Sequence, residues 1–361
     1  MKAAVLREVR TPLQIEDVQI NKPGPREVLI RTAAAGVCHS DLHFIEGSYP
    51  TQLPIVLGHE SAGVVEQVGS EVRTVKVGDH VITCLSAYCG HCDQCLTGHM
   101  SLCISPDTKR AEGEEPRITQ NGAPMPQFLN LSSFAEYMLI HEHACVSIRK
   151  DMPLDRAALI GCAVTTGVGA VIHTAGVRPG ETVAVIGCGG VGLSAINGAS
   201  IAGAGRVIAI DRVRGKENFA RAFGATDFIC ADEGDYGRQV LEMTKGGVHH
   251  AFEAIGRTDT AEQAFRMLRR GGTATIMGMI PVGQKISITG ASLLGEKKLQ
   301  GSLMGSNRFP VDMPRLVDFY MAGKLKLDDM VSNRIRLDQV NEAFDEMKLG
   351  ELARSVIVFD A

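Results

Sequence analysis

The chain has 361 residues, a formal net charge of −4, 45% hydrophobic residues and no tryptophan. At roughly 100–200 residues per domain this length calls for two domains, enough to bury a core without disulfide staples. The small net charge shows no basic stripe, which excludes nucleic acid as an expected partner, and the start MKAAVLREVR has no apolar signal region, so a cytoplasmic protein with no membrane partner is expected.

Residues 1–160 read as mostly β. Short alternating runs such as EVLIRTAAAGV and SAGVVEQVG are punctuated by Gly and Pro. GVCHSDLH carries Cys38, His39, Ser40, Asp41 and His43; LGHE carries His59 and Glu60; IGCAVTTG carries Cys162. Taken singly, a His is more often a satisfied polar residue and a Cys a small hydrophobe. Together they offer two thiolates and one imidazole from three separated segments. Cys2His with an open fourth position is a pattern of catalytic zinc. A Cys38 or Cys162 nucleophile with a histidine base is the competing reading.

The run CGHCDQCLTGHMSLC places Cys89, Cys92, Cys95 and Cys103 at spacing x2, x2, x7. Disulfides suit small secreted domains rather than a chain of this size. The bacterial iron–sulfur run ends C-x3-C-P, whereas here the last gap is seven residues and Ile104 follows. Four thiolates closing a tetrahedral zinc site fit best, with an iron–sulfur centre or redox thiols as alternatives. Residues 104–133 are polar and rich in Pro and Gly, and read as a long surface excursion.

Near Thr182 the rhythm changes. TVAVIG, RVIAID, DFIC, HAFEAI and TATIMG read as strands, alternating with helical stretches KENFARAFG and TAEQAFRMLRRG. This is a βαβ series, so a doubly wound parallel sheet is expected. Residues 182–205 carry no charge and are long enough for a membrane span, but seven glycines interrupt them. A strand, a glycine turn and a buried helix explain the segment without lipid. The tail shows helical patterns in PRLVDFYMAGKL and QVNEAFDEMKLG and ends in a strand, RSVIVF.

GCGGVG follows the first of those strands and opens a helix, the context that gives G-x-G-x-x-G its meaning. Gly187 makes the turn, Gly189 lets backbone approach a pyrophosphate, and Gly192 lets helix pack on strand, with Gly190 and Val191 between them. Asp211 ends the next strand, nineteen residues after Gly192, where a carboxylate can take two ribose hydroxyls.

These motifs, in this order and over essentially the whole length, resemble the zinc-containing alcohol dehydrogenases of the medium-chain dehydrogenase/reductase superfamily. The resemblance implies a GroES-like, mostly-β catalytic domain (1–163), a Rossmann domain binding NAD (164–303) and a return to the catalytic domain (304–361). It implies that Cys38, His59 and Cys162 bind a catalytic zinc, with Glu60 behind or briefly on the metal and Asp41 orienting His59. Cys89, Cys92, Cys95 and Cys103 would hold a structural zinc. Ser40 and His43 would carry the alcohol proton outward. Thr166 would lie near the nicotinamide; Met277 and Met279 would also contact the coenzyme; His39, the glycine loop and Arg354 would lie at the pyrophosphate, and Asp211 and Lys216 at the adenosine ribose. Leu85, Met279 and Leu303 would wall an apolar substrate pocket. The implied reaction is reversible oxidation of an alcohol to an aldehyde or ketone by hydride transfer to NAD, in a cytoplasmic homodimer acting on a small molecule.

Two departures from the family pattern stand out. His39 occupies a position often held by Arg, and His grips phosphate less firmly. The glutathione-dependent formaldehyde branch carries an acidic pair where this chain has Tyr49 and Thr51, which counts against a thiol-adduct substrate, whereas Arg117 counts for it. A non-catalytic NAD-binding redox sensor is the reading from another class; Ser40 and His43 speak against it, since a sensor needs no proton path.

Overall fold

The structure, a computed structural model, describes residues 1–350 and 353–360. It divides into two compact units, Met1–Cys162 with Arg308–Ala361, and Ala163–Asn307.

The first unit is built on the strand Glu27–Gly36, buried along nearly its whole length. It pairs antiparallel with Ser61–Val68, Tyr137–His141 and Arg354–Val358. A strand covered on both faces reads as a near-continuous apolar run. Val28 and Ile30 pack with Val65, Val81, Met138 and Ile140, while Ala35 and Val37 pack with Leu57, Phe134 and Ile357. The last helix, Val340–Leu349, stops at Gly350, which takes the left-handed conformation (φ 76°) that closes a helix C-terminus. In the last strand, Ile357 lies opposite Ala35.

Residues 104–133 are only in part the expected surface excursion: 104–116 and 121–124 are mostly exposed, but the rest is anchored. They form a hairpin of Ile118–Gln120 and Ala123–Met125 that pairs with Gln19–Ile20, and they bury Arg117, Ile118, Met125 and Phe128. The anchor is Glu27. Arg117 Nε donates to its Oε1 at 2.7 Å and Arg110 Nη2 to its Oε2 at 2.5 Å. Burial pushes this carboxyl up, but the bonds from Arg110 and the charge of Arg117 outweigh it and bring the pKa down to about 2. The segment is polar because ion pairs to a distant strand, not apolar contacts alone, hold it down.

The second unit is a six-stranded parallel sheet of Thr182–Ile186, Arg206–Asp211, Asp227–Cys230, Val248–Glu253, Leu268–Ile276 and Lys298–Gly301. Taken in chain order, they lie third, second, first, fourth, fifth, sixth, the doubly wound order. The uncharged segment after Thr182 is a strand, a turn and the buried helix Gly190–Ile201, as expected. The stretch TAEQAFRMLRRG is only half helix. Thr258–Arg266 is helical and Leu268 already opens the next strand. The register jumps there, from Val248 opposite Leu268 to His250 opposite Thr273, so RRGG bulges out of the ladder. The helical run Leu154–Thr174 is long and apolar enough to cross a membrane, yet 83% of its apolar window is buried inside the protein.

Candidate functional site

Three segments of the first unit converge on one thiolate–imidazole cluster. Cys38 is the N-cap of the helix His39–Ile45, in extended conformation at φ −113° and ψ 147°. His59 precedes the strand Ser61–Val68. Cys162 sits in a π-helical turn, Ile160–Val164, a local widening frequent at functional sites. Gly161 lets that turn approach closely, because a Cβ there would press on the Thr83 carbonyl and the Ser61 amide. The Sγ atoms of Cys38 and Cys162 and a ring nitrogen of His59 lie within 4.8 Å of one another, all buried.

Asp41 orients two of the three groups. Its Oδ1 meets His59 Nδ1 at 3.0 Å and accepts from the Gly58 amide at 3.1 Å, while Oδ2 accepts from the Cys38 amide at 3.3 Å. A carboxylate on Nδ1 fixes the ring and leaves Nε2 as a ligand atom. His59 Nε2 is buried and has no hydrogen-bond partner. Burial lowers the His59 pKa, but the Asp41 and Cys38 charges outweigh it and raise it. Cys38 is held low by a hydrogen bond from Cys162 and by the charge of Arg354, and Cys162 is raised correspondingly. An orphaned imidazole nitrogen between two thiols that share a proton is the donor set a zinc ion satisfies.

Behind this cluster Glu60 is fully buried, its Oε1 3.4 Å from Arg354 Nε. Gly36 makes room for it, since a Cβ there would overlap the Glu60 carboxylate. Arg354 is itself buried, and its Nη1 donates to the Val37 carbonyl at 2.9 Å. Within its own unit this arginine therefore faces Glu60 and the thiolates rather than solvent.

The second cluster is the lobe at 89–103. Cys89, Cys92, Cys95 and Cys103 all lie within 4.8 Å of one another, with Sγ···Sγ separations of 3.9 Å (Cys89–Cys95) and 3.8 Å (Cys92–Cys103). Ligands at ~2.3 Å around one tetrahedral ion span edges of about 3.8 Å. All ten cysteines are free thiols. The His91 amide, and then the Cys92 amide, point at Cys89 Sγ and hold its pKa down to about 6. The spacing fits a single ion with amide-stabilised thiolates.

In the second unit the glycine turn has the geometry that its sequence suggests. Gly187 takes φ 95°; a Cβ on Gly192 would collide with the Gly187 carbonyl; Gly189 faces open space. The helix Gly190–Ile201 begins there, and its first amides, unpaired within the helix, are the kind of donors that hold phosphate. Asp211 Oδ2 accepts from the Cys188 amide at 2.7 Å, Oδ1 accepts from Val213 at 2.9 Å, and Lys216 Nζ lies 3.2 Å away. The structure thus brings Asp211, Lys216 and the glycine loop together, and these residues fit a dinucleotide.

Other residues fall as follows. Ser40 Oγ is 3.7 Å from Cys38 Sγ. His43 is half-buried, its ring 5.6 Å from that of the exposed His39 and 6.0 Å from that of Tyr49. Burial, then the charge of His39, lowers its pKa. Thr166 is buried, with Met304 Sδ 3.6 Å from its hydroxyl. Leu85 packs on the first unit's core, whereas Leu303 in the second unit is 53% exposed. Met277 donates its amide to the Glu253 carbonyl, and the Met279 backbone abuts Gly256. Arg117 is committed to Glu27, Gln127 and the Thr108 carbonyl, so it offers no free guanidinium to a substrate carboxylate. Gly36, Gly161 and Glu253 carry little sequence signal of their roles; only the glycine inside IGC, one residue before a ligand, hints at a close approach.

A GroES-like β unit carrying two metal-ligand clusters, with a doubly wound parallel sheet and its glycine turn in the other unit, defines a zinc-binding dehydrogenase. Residues 24–150 match the alcohol dehydrogenase GroES-like domain and residues 190–320 match the zinc-binding dehydrogenase family. An S-(hydroxymethyl)glutathione dehydrogenase of Photobacterium damsela subsp. piscicida is 39% identical over 366 aligned positions, 99% of each chain. An alcohol dehydrogenase class-3 of Myxine glutinosa is 39% identical over 364 positions, 99% of this chain and 97% of the relative. The crystal structure of benzyl alcohol dehydrogenase from Acinetobacter calcoaceticus superposes with a TM-score of 0.93 at 32% identity, over 99% of both chains. The chain belongs to the zinc-containing alcohol dehydrogenases of the medium-chain superfamily. It is an oxidoreductase that oxidises an alcohol with the help of zinc.

Proposed function

We propose that the chain reversibly oxidises a small alcohol to an aldehyde or ketone, with NAD as hydride acceptor and two zinc ions per chain. The observation that carries this is the buried Cys38–His59–Cys162 cluster with its partnerless Nε2. A zinc ion held there supplies Lewis acidity that makes a bound hydroxyl acidic near neutral pH. Cys38, His59 and Cys162 would hold it, and Asp41 would keep His59 in the ligating tautomer. Ser40 takes the hydroxyl proton and releases its own to His43, which stands three residues on and is half-buried. NAD, held by the glycine loop, Asp211 and Lys216, would supply the acceptor for the carbon-bound hydrogen as hydride. Cys89, Cys92, Cys95 and Cys103 would hold the second ion for structure alone. The likeness to a benzyl alcohol dehydrogenase favours an apolar or aromatic alcohol. A reducing cytoplasm suits ten free thiols.

The test is elemental analysis together with NADH formation over a panel of alcohols. Two zincs per chain and turnover are expected, with Cys38→Ser losing one zinc and all turnover while far-UV circular dichroism is kept. Iron, a single metal in the wild type, or no turnover with any alcohol would overturn the proposal.

A second reading, oxidation of the glutathione adduct of formaldehyde, is favoured by the 39% identity to an S-(hydroxymethyl)glutathione dehydrogenase. Tyr49, Thr51 and the committed Arg117 weigh against it. Formaldehyde oxidation measured with and without glutathione separates the two readings.

A further inference from the structure

Glu253 ends the fourth strand of the parallel sheet, between Ile186 and Ile276 in register, and is fully buried. A carboxylate at the centre of a sheet costs stability unless it is bonded. This one is bonded to the turn that follows it. Oε1 accepts from the amides of Ile255 (2.9 Å) and Gly256 (2.8 Å) and from Thr260 Oγ (2.8 Å). Its main-chain carbonyl accepts the amides of Met277 (2.9 Å) and Gly278 (3.1 Å), from the loop after the fifth strand. Oε2 is buried with no hydrogen-bond partner. Two glycines fit the loops around it. A Cβ on Gly278 would press on Oε2 and on the Gly256 amide, and Gly256, at φ 90°, lies against the backbone of Met279. Gly187, first in the phosphate turn, has Ile255 and Ala254 as its neighbours. One residue thus stands among three strand-end loops: its side chain bonds the 254–257 turn and lies with Oε2 against Gly278, its carbonyl holds 277–278, and the 254–255 segment that its side chain fixes abuts Gly187 in the glycine turn.

In a doubly wound sheet the ligand lies outside the carboxyl ends of the strands, at the switch point. Here that point falls between the first and fourth strands. Asp211 ends the second strand and marks the adenosine side, so the other half of a dinucleotide falls on the side of the fourth and fifth strands. We infer that Glu253 is a positioning residue for the nicotinamide half of the coenzyme, setting the 254–257 and 277–279 loops as one wall. The inference rests on the glycine crevice being the coenzyme site. Burial also pushes the Glu253 carboxyl up, so a neutral carboxamide is a fair replacement there.

The test is fluorescence titration of the zinc-loaded enzyme with NADH, alongside calorimetric titration with ADP-ribose, which lacks the nicotinamide. Glu253→Ala removes the bonds to 255, 256 and 260; Glu253→Gln keeps an acceptor oxygen in the same place. Expected is NADH binding weakened about tenfold or more in Glu253→Ala, ADP-ribose binding unchanged within about twofold, and Glu253→Gln close to wild type. Thr260→Val, which removes one bond and leaves the carboxyl, should show the same split to a smaller degree and serves if Glu253→Ala does not fold. Equal loss of NADH and ADP-ribose would mean a general structural role and overturn the inference. So would wild-type NADH affinity in Glu253→Ala, or Glu253→Gln as impaired as Glu253→Ala. A wild-type enzyme that binds neither ligand would instead remove the coenzyme reading beneath it.

Discussion

Glu27 shows how one buried side chain ties a polar segment to a sheet. In the folded chain its carboxyl titrates at about 2, against 4.5 for a free glutamate. A depressed carboxyl contributes stability that is full above the unfolded value and is lost as pH falls from about 4.5 toward 2. Glu27→Gln leaves Arg117 buried with its charge uncompensated, so a loss of roughly 3–5 kcal/mol at pH 7 is expected. Urea midpoints should show the gap between variant and wild type narrowing at pH 3; a gap independent of pH would contradict the assignment. On the proposed reading, Asp211 would set coenzyme choice in a similar way. Like charges ~4 Å apart repel by about 4 kcal/mol at an effective dielectric of 20, and Lys216 at 3.2 Å cuts that figure. NAD should exceed NADP by about tenfold or more in kcat/KM, and Asp211→Ser should erase most of the preference; equal rates in the wild type would refute this. Cys38, His59, Cys162 and Asp211 are legible in sequence because their side-chain chemistry announces a role. Gly36, Gly161 and the Glu27–Arg117 pair are not, because each matters only through a contact with a segment far along the chain.

At the scale of elements, the lobe at 89–103 shows a fold held by its donors. It contains only the four-residue helix Asp93–Leu96 and a single 3-10 turn, Met100–Leu102, while Leu96 and Leu102 point outward at 73% and 43% exposure. With so little core of its own, the lobe depends on a bound ion, whose binding free energy is then folding free energy. Cys103→Ser should lose one zinc per chain and expose the lobe to proteolysis between 89 and 103, with the second zinc retained. Limited proteolysis with zinc counting checks this; an intact lobe in the one-zinc variant would refute it. The strands and the helix after Thr182 are legible from their periodicity. TAEQAFRMLRRG is not read fully, because its helical pattern runs on into a bulged strand whose register is set by His250 and Thr273. The sixth strand, KLQG, escapes notice because it has no β-branched residue.

For the whole molecule, the open edge of the parallel sheet is where a second copy is expected to pair. Lys298–Gly301 pairs only with Leu268–Ile276 among the described strands and has no partner on its outer side. An open edge with apolar neighbours is an aggregation hazard unless a partner covers it. In the turn Gly290–Gly295 that leads into this strand, Leu293 and Leu294 are 49% and 90% exposed. A two-fold axis beside that strand would place the same edge against itself, closing the assembly at two copies. The change of rhythm near Thr182 makes the parallel sheet readable from the sequence, but the exposed edge becomes visible only once strand order is known. The chain of 38.6 kDa should therefore scatter light as a particle of about twice that mass at micromolar concentration. Leu294→Glu puts a charge on the exposed turn that leads into that edge, and should weaken the dimer by about tenfold or more while zinc content stays at the wild-type value. A wild-type monomer, or a variant as dimeric as wild type at the same concentration, would rule this edge out as the interface.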